Sequence, residues 1–196
     1  MLGAVTVSPD TLAPIINQMS QKYGIEPELI KGVIKTESNW DLNASRYEVH
    51  KADASWGLMQ LMLATARDVL GDPNLTTTQL IQPATNIEAG TKLLANNLKR
   101  WGTLHDAVAA YNAGSPRFNK DGSFVNQAYV DKVFNAYNTY ITLGSNPVAE
   151  AAIDVSQTAI DVASSDLTPV YIFAGLVAVG VVFMSSSKSK SVSVTT

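Results

Sequence analysis

From about residue 9 to 143 the chain repeats one pattern, in which apolar side chains recur three and four residues apart until a glycine closes the run. Thr11 to Tyr23 reads as a helix stopped by Gly24, because glycine takes the left-handed conformation that ends a helix without steric cost. Pro27 suits the first turn of the next helix, with Glu26 and Glu28 beside its positive end. Ile30, Val33, Ile34 and Glu37 then fall at i, i+3, i+4 and i+7, one face of that helix. Further helices are read at about 63–70, 84–101, 103–112 and 124–143, ended by Gly71, Gly102, Gly114 and Gly144. No alternating β pattern of useful length competes, so the expected fold is mainly α.

Composition narrows the chemistry. A core of about 130–150 residues is long enough to bury most of its apolar surface. The chain has no cysteine, which excludes disulfides and thiolate metal sites. His50 and His105 are far apart and show no ligand spacing, so no metal and no cofactor is expected. A net charge of -3 supplies no polybasic footprint, which argues against a nucleic-acid partner.

Glu37 ends the apolar stripe of its helix. On the residues alone it is compatible with a surface carboxylate whose stem packs and whose head meets water. It is also compatible with a functional acid. Apolar neighbours disfavour the charged form by desolvation, and the negative end of the helix dipole pushes the same way. A glutamic acid kept protonated is what glycosidic cleavage needs as its general acid.

The segments that follow decide between these readings. Glu37-Ser38-Asn39-Trp40 is succeeded by Ser55-Trp56-Gly57-Leu58-Met59-Gln60, then Asn86-Ile87-Glu88-Ala89-Gly90, then Ala110-Tyr111-Asn112-Ala113-Gly114, and finally Tyr129 in Ala128-Tyr129-Val130. In this order and spacing the chain resembles the soluble lytic transglycosylases, a lysozyme-like family related to goose-type lysozyme. The resemblance covers about residues 20–140. It implies a lysozyme-like helical domain that binds peptidoglycan glycan strands. Glu37 would protonate the oxygen between N-acetylmuramic acid and N-acetylglucosamine, then act as base on the sugar's own 6-hydroxyl and close a 1,6-anhydro ring.

The resemblance also assigns the substrate-binding residues. Ser38 would hold the Glu37 side chain or its helix end, and Ser45 and Ser55 would contact the sugars. Gly57 would give close backbone approach in the floor of the groove, while Gln60 and Met62 would line the sugar sites. Tyr111 and Asn112 would face Glu37, with the Tyr111 hydroxyl bonded to the carboxyl, and Tyr129 would support that corner. One stretch departs from the family: Arg46-Tyr47-Glu48-Val49-His50-Lys51 is more polar and charged than expected. If that loop brought Glu48 or Asp53 to the cleft, a second carboxylate would activate water and make the enzyme a hydrolytic muramidase. The residues also admit two readings without catalysis, a glycan-binding module and a structural membrane protein.

The chain divides as a catalytic domain at 1–143, a linker or weak amphipathic helix at 144–168, a membrane-spanning helix at 169–187 and a short basic tail at 188–196. Leu167 to Ser187 carries no charge, and at 1.5 Å per residue this run approaches a ~30 Å hydrocarbon core. Lys188 and Lys190 follow it and Glu150, Asp154, Asp161 and Asp166 precede it, which places the tail inside and the enzyme outside. The first ten residues lack a basic, apolar export signal. Wall chemistry, an anchor and no export signal together point to a phage particle. Such an enzyme would sit in an internal virion membrane among other virion proteins and open the wall locally during infection. The second location open to it is a bacterial membrane facing the wall.

Overall fold

The computed structural model describes residues 3–48 and 53–144. The expected linker, membrane span and tail lie outside these residues, as do Val49, His50 and Lys51. Among the described residues no helix is long and apolar enough to cross a membrane.

The described residues form seven helices and one small sheet, in chain order α1 Pro9–Tyr23, α2 Pro27–Ser38, β1 Ser45–Glu48, β2 Asp53–Trp56, β3 Leu61–Met62, α3 Leu63–Leu70, α4 Thr77–Leu80, α5 Pro83–Trp101, α6 Leu104–Ala113 and α7 Gln127–Gly144. The fold is mainly α, as the periodicity requires. Gly24, Gly71, Gly102 and Gly114 cap their helices in the left-handed region. Gly144 instead belongs to the last helix.

Two elements escape the sequence pattern. α4 is a single turn held by a capping box, in which the Thr76 side chain accepts from Gln79 N while the Gln79 side chain accepts from Thr76 N. The second correction is larger. The stretch after α2, where the sequence pattern predicts a loop, folds into an antiparallel sheet of order β1-β2-β3, with Arg46 opposite Ser55 and Ser55 opposite Met62. Strands of two to four residues are too short for alternation to register as a pattern.

The core gathers on α2, whose Ile30, Val33 and Ile34 are fully buried. This helix packs most extensively on α7, and glycine makes the approach possible. A Cβ on Gly32 would lie 3.0 Å from both the Tyr137 amide nitrogen and the Val133 carbonyl oxygen. Tyr137 reinforces the crossing by donating its hydroxyl to Glu26. Because backbone rather than a flexible side chain faces Gly32, overpacking there moves a whole helix. Gly32→Ala is expected to destabilise the fold by about 1–3 kcal/mol. Its midpoint in urea, beside that of the open capping position Gly71→Ala, checks whether packing or φ strain dominates.

The described residues also hold an ion pair between α1 and α5, Lys22 to Glu88 at 2.6 Å, with Tyr23 donating to the same carboxylate oxygen. The Lys22 hydrogen bond, chiefly, and then that of Tyr23 hold the Glu88 carboxyl below its ordinary value of 4.5, against a desolvation cost. A depressed carboxyl stabilises the fold above the unfolded value and loses that contribution as pH falls through the folded one. Lys22 is largely exposed, so solvent screening keeps the pair's contribution small. Glu88→Gln should therefore lower the melting temperature slightly at pH 7, with the difference vanishing once the pH falls below both carboxyl values. A deficit that persists undiminished in acid would rule out the carboxylate as its source.

Candidate active site

A cleft of about 490 Å³ opens between the sheet and α5, α6 and the end of α2. One wall is built around a turn. Gly57-Leu58-Met59-Gln60 joins β2 to β3, and Leu58 and Met59 are buried beneath it. The turn is held by side chains from two helices. The fully buried Asn86 of α5 accepts from Met59 N at 2.7 Å and donates Nδ2 to the carbonyls of Trp56 and Leu80. From α6 the Tyr111 hydroxyl donates to the Met59 carbonyl at 2.8 Å. Both backbone groups of Met59 are thus satisfied by side chains, which a buried turn requires.

Gly57 adopts φ +74°, and a Cβ there would lie 2.5 Å from Asn86 Nδ2. Its close approach is therefore to the amide clamp and not to the open groove. Gln60 also takes a positive φ of 47°, sparsely populated for a side-chain-bearing residue. Its Nε2 donates to the Ala44 and Gly57 carbonyls, which compensates that strain and fixes the turn to the start of the sheet.

The opposite wall carries Glu37. The buried stripe of α2 delivers it, half-buried, at the last turn. The chain then reverses through Asn39 and Trp40, both at positive φ. Buried Trp40 pins the reversal by donating Nε1 to the Tyr140 hydroxyl at 3.0 Å. The segment before α1 holds the far side: Asp41 Oδ1 accepts from Val5 N and Asn43 N. This gives Asp41 a structural task. Asp53 likewise accepts from the neighbouring Ala54 N and does not line the cleft.

Tyr129, from the first turn of α7, donates its hydroxyl to Glu37 Oε1 at 2.7 Å. Here the expected roles of the two tyrosines change places, since Tyr111 spends its proton on Met59. Burial first, and the nearby Glu37 charge second, push both phenols well above their ordinary value of 10. Both therefore remain protonated donors at neutral pH. The swap has a plain cause, as Tyr129 comes from the helix that packs on α2 and Tyr111 from one that packs on α5.

Of the residues expected at the site, Glu37, Ser55, Gln60, Met62, Tyr111 and Asn112 line the cleft. Four others do not. Ser38 donates its hydroxyl to the Ile34 carbonyl of its own helix, not to Glu37. Ser45 stands opposite Trp56, one residue out of the cross-strand row Arg46–Ser55–Met62 that lines the cleft. A one-residue offset reverses the face in a strand, so Arg46 takes the place expected of Ser45. Gly57 lies under the turn, and Tyr129 acts from behind Glu37. Sequence reading missed Arg46, Thr65, Asn97 and Arg117, which line the cleft. It also missed Asn126, whose Nδ2 donates to the Asn112 Oδ1 and to the Ala109 carbonyl. Asn86 had a signal, the head of the Asn-Ile-Glu-Ala-Gly segment, but its hydrogen bonds are tertiary.

The other end of that segment has a packing role. A Cβ on Gly90 would lie 2.3 Å from the Met59 sulfur. Among the described residues no group of histidine, cysteine and carboxylate side chains is placed to hold a metal.

Comparison with known proteins agrees with this architecture. Residues 14–134 match the family model described as the transglycosylase SLT domain. A transglycosylase of Enterobacteria phage PRD1 is 31% identical over 141 residues, covering 72% of this chain and 48% of that protein. The membrane-bound lytic murein transglycosylase C of Haemophilus influenzae is 32% identical over 149 residues, covering 64% of this chain and 40% of the relative. The chain thus spans about half or less of the length of these relatives. Among solved structures, an inactive glutamate-to-glutamine mutant of lytic transglycosylase Slt from Pseudomonas aeruginosa shares the fold at a TM-score of 0.54. It is 24% identical, with 66% of this chain and 24% of that one covered. With the lysozyme-like helical architecture and a family match over most of its described length, the chain belongs to the transglycosylase SLT domain family.

Proposed function

We propose that this protein is a peptidoglycan lytic transglycosylase in which Glu37 serves as acid and then as base. One observation carries the reading: Glu37 is the one carboxylate among the described residues lining the cleft. Hydrolysis through an activated water or a covalent intermediate needs a partner carboxylate about 5–9.5 Å away. Intramolecular ring closure does not.

The steps balance without water. The Glu37 carboxylic acid gives its proton to the glycosidic oxygen as the bond from the muramic acid C1 breaks. The substrate's acetamido group shares the positive charge at C1. The Glu37 carboxylate then takes the proton of the 6-hydroxyl while that oxygen bonds to C1, which forms the 1,6-anhydro product and restores the acid. Tyr129 donates to Oε1 of this carboxyl. Its hydrogen bond strengthens as charge develops on the carboxylate. Ser55, Gln60, Met62 and Asn112 bind the sugars from the cleft wall, and Tyr111 and Gly57 shape the turn that carries Gln60. Ser38 and Ser45 act on their own elements.

The expected biological setting is local wall opening as a phage infects its host. The similarity to a phage transglycosylase supports it, together with the uncharged run from Leu167 to Ser187, which anchors the enzyme in a membrane. After alkaline carbonate extraction the full chain should stay with membranes and be released only by detergent. Recovery in the soluble fraction would remove the anchor from this reading.

Two measurements test the chemistry. Peptidoglycan digested by the full chain in detergent should give products one water lighter than muramidase products by mass spectrometry, and Glu37→Gln should give none. Products carrying the added water would make the enzyme a hydrolase. Tyr129→Phe removes one charge-assisted hydrogen bond, worth about 1.5–3 kcal/mol. It should lower kcat roughly 10- to 100-fold, with KM changed much less. A purely structural Tyr129 would instead lower the melting temperature and leave kcat of the folded fraction intact.

A further inference from the structure

Two guanidinium groups in the cleft have no task in the mechanism above. Arg46 comes from β1, in the row that continues through Ser55 and Met62, and Arg117 comes from the segment just past α6. Both side chains are exposed and both line the cleft. Among the described residues neither has an ion-pair partner, since the pair found there is Lys22–Glu88. The chain as a whole carries a net charge of -3, so two arginines beside a single carboxylate run against the charge of the rest of the molecule. Two exposed cations beside a single carboxylate leave the described lining of the cleft with an excess of positive charge, which attracts an anionic ligand.

We propose that Arg46 and Arg117 bind carboxylates attached to the muramic acid residues of the substrate, and that they select these strands over uncharged glycan. This rests on the proposed function and deepens it. A strand of N-acetylated sugars is itself neutral. Its negative groups hang from the lactyl ether of muramic acid, either as the lactyl carboxylate or as the carboxylates of a peptide joined there. The planar guanidinium fork matches a carboxylate with two parallel hydrogen bonds, which a lysine at the same place does not reproduce. The pairing also explains the departure in the Arg46-Tyr47-Glu48 stretch. The strand register that turns Ser45 away from the cleft turns a charged anchor into it.

The test uses the full chain carrying Glu37→Gln, which blocks turnover, with and without Arg46→Gln and Arg117→Gln together. Binding is measured by calorimetry to three tetrasaccharides: one of alternating muramic acid and glucosamine with its peptides, the same after amidase has removed them, and chitotetraose. The arginine substitutions should weaken at least one of the two muramic acid ligands about tenfold or more, flatten its salt dependence, and leave chitotetraose within about twofold. The lactyl carboxyl is tied up as an amide while a peptide is attached and is freed by the amidase. A loss confined to the amidase-treated ligand therefore assigns the lactyl carboxylate, and a loss confined to the peptide-bearing ligand assigns the peptide carboxylates. A loss in both assigns whichever carboxylate the muramic acid carries. Arg46→Lys with Arg117→Lys should restore only part of the affinity. Equal weakening of all three ligands, or of none, overturns the proposal. Digestion by the unsubstituted chain separates the two levels of inference. If it yields no glycan product, the proposed function itself falls. If it cuts while the arginine variants bind normally, only the selection does. Both residues are exposed, so an unchanged melting temperature is expected of every variant.

Discussion

The backbone of Met59 is held at both ends by side chains, its N–H by Asn86 and its carbonyl by Tyr111, and the cleft depends on that grip. A buried turn has no ladder of its own to satisfy its polar groups, and each one left bare costs about 1–3 kcal/mol. Asn86 meets the cost three times, since its amide also bonds the carbonyls of Trp56 and Leu80. One fully buried side chain thereby joins the end of β2, the turn, α4 and α5. The glycines follow from this demand. Gly57 leaves room for the Asn86 amide and Gly90 leaves room for the Met59 side chain, so the two glycines clear opposite sides of the same turn.

The acid is held by different means. Its position comes from packing, through the stripe of α2 against α7 and the close approach at Gly32. A hydrogen bond donated by a phenol that burial keeps protonated orients it. The reversal at Asn39 and Trp40 places two successive residues at positive φ, a conformation that costs free energy and persists only when the surroundings enforce it. The Trp40–Tyr140 hydrogen bond and the edge-to-face contact of their rings at 6.1 Å supply that enforcement. Strain at Gln60 and strain at Asn39–Trp40 thus flank the two walls of the same cleft, where each sets the direction of a wall the substrate would meet.

Such a division suits the proposed chemistry. A mechanism that closes a ring within the substrate needs one carboxylate and a well-shaped wall, not two carboxylates at a fixed separation. Asp41 and Asp53, the nearby carboxylates whose places are described, are occupied with backbone amides. The cleft's remaining described charge is cationic, and the proposed substrate carries its negative groups off its main chain.

Taken alone, the sequence determined the longer helices, the glycine stops at Gly24, Gly71, Gly102 and Gly114, the buried stripe of α2 and the presence of Glu37 at its end. These features repeat with the 3.6-residue period or lie within four residues of one another, so local geometry dictates them. The order of the five motif segments determined the family. Which residues meet was decided only by the tertiary structure. The short sheet left no alternation to read, and its register turned Arg46 rather than Ser45 toward the cleft because strand faces alternate every residue. Two tyrosines on separate helices were equally able to reach the acid. The packing of α7 on α2 gave that place to Tyr129, and the packing of α6 on α5 gave Tyr111 to Met59. Contacts between residues far apart in the chain depend on how helices cross, and no local period encodes that crossing.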